Sequence, residues 1–175
     1  MFLGSPCRLV GDEQDLVLPS FKHPGLIGAS PLLGFPPRPR TFLACFQGNV
    51  GLHRLPHYSR GIRQRLYRAS MQHHWHERHG IVIAEHAPGP TEYAELLSSS
   101  TFCLVVPGDG FSTRAEDAIL HGCVPVIIMD DVDPVFSTIL DWPGFSVRIK
   151  EVRNCLCARI AASECPGLRH LSEQP

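Results

Sequence analysis

No stretch of this 175-residue chain reaches the roughly 18 consecutive apolar residues that a membrane-spanning helix needs. Neither sign of charge dominates. Sixteen Lys and Arg stand against 17 Asp and Glu, which leaves no electrostatic footprint for nucleic acid. The opening residues, MFLGSPCRLVGDEQD, have no basic segment and no long apolar segment, so no secretory signal peptide is expected. Two common nucleotide-binding signatures, G-x-G-x-x-G and G-x-x-x-x-G-K-[ST], are both missing, as is the zinc motif H-E-x-x-H. No internal repeat is present. Cys155 and Cys157 lack the second cysteine pair that a zinc site would require.

What is present points to one α/β domain. A chain of this length, 43% hydrophobic and 19% charged, can bury a real core. Apolar runs that read as strands lie at 15–19, 41–46, 81–85, 101–107, 124–130 and 145–150. Most are continuous rather than alternating, as in parallel strands covered on both faces. Helical patterns fall between them. Residues 60–75 place Ile62, Leu66, Ala69 and His73 on one stripe. Residues 91–99 carry Tyr93, Leu96 and Leu97. Residues 112–122 place Ala115, Ala118, Ile119 and Gly122 on one stripe. Helices alternating with buried strands predict a doubly wound, mostly parallel sheet. The Pro- and Gly-rich segment 23–40 reads as an irregular connector. Cys103 and Cys123, in apolar or helix-end segments, read as buried free thiols.

The segment CLVVPGDGFSTRAEDAILHGCVPVIIMDD, from Cys103 to Asp131, holds the most chemistry. A strand ends near Val106, and the turn Pro107-Gly108-Asp109-Gly110 follows. Gly108 and Gly110 let backbone approach a ligand closely. The next helix begins near Ser112 or Thr113, where free amides favour an anion, and Arg114 on its first turn could add a charge-assisted bond. A plainer reading also fits. Thr113 with Glu116 matches a capping box, which would leave Arg114 solvated. Asp117 lies outside that box and shares a stripe with Arg114 and His121. Asp is a poor helix-interior residue, and its carboxylate could accept two bonds from a ribose diol.

The stretch YAELLSSSTFCLVVPGDGFSTRAEDAILHGCVPVIIMDD, with FQGNVG, YSRGIRQRLY, DLVLPSFKHPG and SPLLG upstream, resembles the exostosin-type glycosyltransferases of family 47. The likeness covers roughly residues 15–150 and is nearest to the exostosin-like proteins of plants and green algae. It implies the Rossmann-like C-terminal half of a GT-B enzyme. Such an enzyme is inverting, uses a nucleotide-sugar donor (usually UDP-linked) and transfers to a glycan or glycoprotein acceptor. It implies no further cofactor, no bound metal and a Golgi location. In the family pattern Ser112, Arg114, Asp117 and Ala118 precede the strand at Val124-Pro125-Val126, and the family acid on the donor ribose falls on Asp117, with Glu116 as the second candidate. The N-terminal half, with the acceptor site and any general base, is expected to be missing, so the catalytic base stays unassigned and the chain reads as a truncated product. A non-catalytic nucleotide-sugar-binding fragment is the competing reading. Residues 1–14 are expected to be poorly defined, and 151–175 to be divergent and poorly packed.

Other candidates lie at neighbouring strand ends. Arg60 and Arg63 follow the strand at 41–46 and could reach the diphosphate, against a reading as solvated helix charges. Asp130, in the run Met129-Asp130-Asp131 before Asp133, could contact the donor. Glu85 ends the strand at 81–85, and residues 86–93 could border a base pocket. His73, His74, His76 and His79 read as a cluster favoured at a helix C-terminus rather than as metal ligands.

Overall fold

The computed structural model describes residues 19–85, 89–109 and 112–151. Among them five strands form one sheet: β1 Phe42–Gln47, β2 Ile81–Ala84, β3 Ser100–Val105, β4 Val124–Ile127 and β5 Val147–Arg148. Their order is β2-β1-β3-β4-β5, and every neighbouring pair is parallel. The helices are α1 Pro24–Ile27, α2 Ile62–His73, α3 Trp75–His79, α4 Pro90–Ser98, α5 Arg114–Leu120 and α6 Trp142–Phe145. The fold is α/β and Rossmann-like. Its winding reverses once. From β1 the chain steps outward to β2, then returns across β1 to β3 and continues to β5. The reversal leaves a crevice above the carboxyl ends of β1 and β3, the usual ligand position in such sheets.

The continuous apolar runs are explained by cover on both faces. On one side Phe46, Phe102, Leu104 and Val126 pack against Ile62, Leu66 and Ala69 of α2 and Trp75 of α3. On the other, Cys45, Cys103 and Leu97 meet Ala118 of α5, and Val105, Ile127 and Met129 meet Ala115 and Trp142. Successive strand residues point to opposite faces, so β3 feeds both cores with Phe102 and Leu104 one way and Cys103 and Val105 the other.

Several expectations change. Cys103 and Cys123 are not free thiols. They form a disulfide with Cα atoms 5.8 Å apart. The helical pattern at 60–75 opens only at Ile62, because Ser59, Arg60 and Gly61 take left-handed conformations in succession, and it breaks at His74, also left-handed. His73 is exposed, so the buried stripe of α2 stops at Ala69 and Ser70. The capping box is not formed. Thr113 makes no side-chain cap bond, and Glu116 turns instead to Ser20 and Lys22. Of the run expected as a strand at 15–19, residues 15–18 lie outside the described residues and Pro19 is irregular. The tail lies outside them too, apart from Glu151.

The exit of α5 shows how the chain is returned to the sheet. Gly122 is left-handed at φ 64°. Its amide donates to Ile119 O, and the Cys123 amide donates to Ala118 O. This is a Schellman close. Arg40 seals the same corner by donating to the carbonyls of Leu97, Ser100, His121 and Gly122. His121 is fully buried, with Nδ1 2.7 Å from Asp117 O and Nε2 2.7 Å from Leu26 O.

Candidate functional site

Two guanidinium groups meet above the crevice between β1 and β3. Arg63 comes from the first turn of α2 and is 5% exposed. Arg114 opens α5. Both lie over the Phe46 ring, their guanidinium carbons 5.2 and 4.8 Å from its centroid. Arg63 donates to Asn49 O at 2.9 Å, Tyr58 Oη at 2.8 Å and Val106 O at 3.4 Å. Arg114 donates to Gln47 O at 3.3 Å and Ser112 Oγ at 3.5 Å.

Local backbone explains why the arginines fit. Asn49 and Gln47 lie in or after β1, and Val106 follows β3, so both strand ends offer carbonyls to the cations. Gly48, at φ 149°, leaves space that a side chain would take from the Arg114 guanidinium. A Cβ at Gly108 would stand 3.1 Å from Arg63 Nη2. The left-handed Ser59 and Arg60 cost on the order of 1–2 kcal/mol each. Such strain gathers at functional sites. Here it swings Ser59 Oγ onto Pro107 O at 2.6 Å and sets Tyr58 beneath Arg63.

The two guanidiniums act on each other electrostatically. Among the described residues no carboxylate forms an ion pair with Arg63 or Arg114. Burial, and then the positive Arg114, push Arg63 down to about 10. It is still charged at neutral pH. Asp109 and the Tyr58 phenol oppose that shift only in part. The Nε atoms of both arginines are buried without a hydrogen-bond partner among the described residues. A buried cation beside a second, half-buried one is unfavourable unless negative charge is near.

The carboxylates at 116 and 117 have a different setting. Asp117 is 5% exposed. Its Oδ1 is 2.6 Å from Lys22 Nζ, and its Oδ2 accepts from Tyr93 Oη at 3.3 Å. Burial, and then the Asp117 carboxylate, push the Tyr93 phenol up, so it remains a donor. Lys22 also reaches Glu116 Oε2 at 3.1 Å and Thr113 O at 3.1 Å. Sequence reasoning did not single out Lys22, Ser20 or Tyr93 as partners of these acids. Their separations, such as 96 residues from Ser20 to Glu116, leave no local signal.

Arg60 and Asp130 are drawn together, but with Glu151 as their centre. Arg60 donates to Asp130 O and to Glu151 Oε1, while Asp130 and Glu151 exchange backbone-to-carboxylate bonds at 2.8 and 3.2 Å. Ser112 is buried beside Arg114, and Gly108 and Asp109 lie in the loop after β3. Gly110 falls outside the described residues, as do residues 86–88 of the expected base-pocket border. No helix among the described residues is long and apolar enough to cross a membrane.

The exostosin GT47 domain family matches residues 9–160 of this chain. The chain belongs to that family. A probable glycosyltransferase of Arabidopsis thaliana is 34% identical over 118 residues, which are 66% of this chain and 22% of the relative. A probable beta-1,4-xylosyltransferase of the same plant is 28% identical over 145 residues, covering 80% of this chain and 33% of the relative. Exostosin-2 of Homo sapiens is 38% identical over 61 residues, 34% of this chain and 8% of the relative. This GT47 domain therefore spans about a fifth to a third of the length of those plant relatives.

Proposed function

We propose that this GT47 domain binds the diphosphate of a nucleotide sugar, in the family usually UDP-linked, and is the donor half of an inverting glycosyltransferase. The observation that carries this reading is the Arg63–Arg114 pair. Two cations without a carboxylate partner among the described residues stand where the sheet order reverses. Planar guanidiniums suit two-point recognition of phosphate oxygens. Because α5 has only seven residues, the arginines supply more of the positive field than its helix dipole does. Asp117, gripped from two sides, keeps lone pairs for the ribose hydroxyls.

In the reaction an acceptor hydroxyl displaces the nucleoside diphosphate from the sugar. Negative charge then grows on the diphosphate, and the two guanidiniums stabilise it without having to reorganise. The base that deprotonates the acceptor belongs to another part of the full protein, which acts on a glycan or glycoprotein in the Golgi. The short span of the chain against its relatives gives weight to one alternative, a nucleotide-sugar-binding fragment without turnover. Calorimetry with UDP and uridine tests the diphosphate site. UDP should bind at least tenfold more tightly than uridine, and equal affinity would refute the reading. Assaying a nucleotide-sugar panel for turnover separates the enzyme from the fragment.

A further inference from the structure

The disulfide between Cys103 and Cys123 has a third sulfur beside it. Cys45 is a buried free thiol whose Sγ lies 3.6 Å from Cys103 Sγ. Cys45 and Cys103 are register partners on adjacent parallel strands, and strands in a sheet lie about 4.8 Å apart. That spacing falls inside the Cα separation of about 4.4–6.8 Å that a disulfide accepts. All three sulfurs sit in one small core with Leu97 and Ala118, so moving the bond from one pair to the other needs no rearrangement of the strands.

We propose that Cys45, Cys103 and Cys123 form an internal thiol–disulfide exchange site, with Cys103 shared between two pairings, and that exchange releases the C-terminal corner of α5. Cys45 gives up its thiol proton and attacks Cys103 Sγ. The Cys45–Cys103 bond forms as the Cys103–Cys123 bond breaks. Cys123 leaves with the electron pair as a thiolate and takes up the proton. One disulfide and one thiol stand on each side, so no external oxidant or reductant is consumed. Burial pushes the Cys45 thiol up to about 11, outweighing a Ser100 hydrogen bond and then the positive charge of Arg40, which both favour the thiolate. The exchange is therefore slow in the closed fold and follows local opening.

Its structural consequence is at α5. Cys123 is the residue whose amide completes the Schellman close on Ala118. The Cys103–Cys123 bond ties that close to β3 across 20 residues. The alternative bond ties β1 to β3, which the sheet already holds, and leaves the corner with Arg40 and its hydrogen bonds alone.

Peptide mapping tests the pairing. The full chain and its Cys123→Ser variant are equilibrated in a glutathione redox buffer, quenched in acid, alkylated and mapped by mass spectrometry. Of the pairings among these three positions, the parent should yield Cys103–Cys123 with a minor Cys45–Cys103 species, and the variant Cys45–Cys103. Cys45–Cys103 in the parent supports the exchange site, whether or not the variant folds. Its absence from the parent overturns the site. Hydrogen exchange tests the consequence. Amides 122 and 123 should open roughly tenfold faster in Cys123→Ser than in Cys45→Ser, which keeps the original bond. Equal rates would refute release of the corner. Neither measurement depends on nucleotide binding.

Discussion

Arg63 lies at the edge of the apolar stripe of its helix, in line with buried Leu66 and Ser70. It is buried because the first turn of α2 overhangs the carboxyl edge of the sheet, where carbonyls of Asn49 and Val106 take its protons. Periodicity reports which face of a helix meets the sheet, but not what lies over the end of a strand. Asp117 teaches the same lesson in reverse. The sequence reads it as a poor helix-interior residue, but it lies in the first turn of α5, where an acid is favoured, and it is held by Lys22 and Tyr93. That grip changes the expected cost of altering it. Had Asp117 faced only a ligand, Asp117→Asn would leave stability nearly unchanged. With Lys22 Nζ 2.6 Å away in a buried setting, the substitution should cost about 1.5–3 kcal/mol of folding free energy, the range for a bond to a charged group. Urea denaturation gives the value. A loss below about 0.5 kcal/mol, the scale of ordinary surface changes, would show that the ion pair contributes little.

At the scale of elements, the strand and helix sequence was legible. Runs of Val, Ile, Leu, Phe and Cys buried on both faces mark β1, β3 and β4, and Pro107 and Gly122 mark where β3 and α5 give way. Two features were not. The Cys103–Cys123 bond depends on α5 folding back over β3, which no local pattern encodes. The capping box failed because Lys22 and Ser20 compete successfully for Glu116. Glu116→Ala therefore loses the strap from 20 to 22 rather than a helix cap. The close of α5 carries its own test. Gly122 is left-handed, and a Cβ there would meet Arg40 Nη2 at 2.8 Å. Gly122→Ala should cost about 1–2 kcal/mol from the backbone conformation alone, read as a lower urea midpoint at unchanged slope. An unchanged midpoint would mean that the corner relaxes freely.

For the whole molecule, a parallel sheet could be inferred from the sequence, but its order could not. Whether α2 and α4 lie on the same or opposite faces decides where β3 enters, and both choices suit the same apolar runs. The observed order places the reversal beside the two arginines, which is why a site scattered over α2, α5 and two loops becomes one locus. Binding there should stabilise the folded chain. UDP at about a hundred times its Kd should add about 2.7 kcal/mol, seen as a higher Tm. Because the attraction is largely between charges, the gain should shrink as salt rises. A Tm that UDP does not move would count against a built site.

UDP titration calorimetry on the parent chain, Arg114→Gln and Arg60→Gln tests whether Arg114 holds a diphosphate. Arg60 is engaged by Asp130 and Glu151, whereas Arg114 has no carboxylate among the described residues. Arg114→Gln should weaken UDP binding by about 1.5–3 kcal/mol, roughly ten- to a hundredfold, and Arg60→Gln should leave it within twofold. UDP affinity unchanged in Arg114→Gln would mean that Arg114 holds no diphosphate.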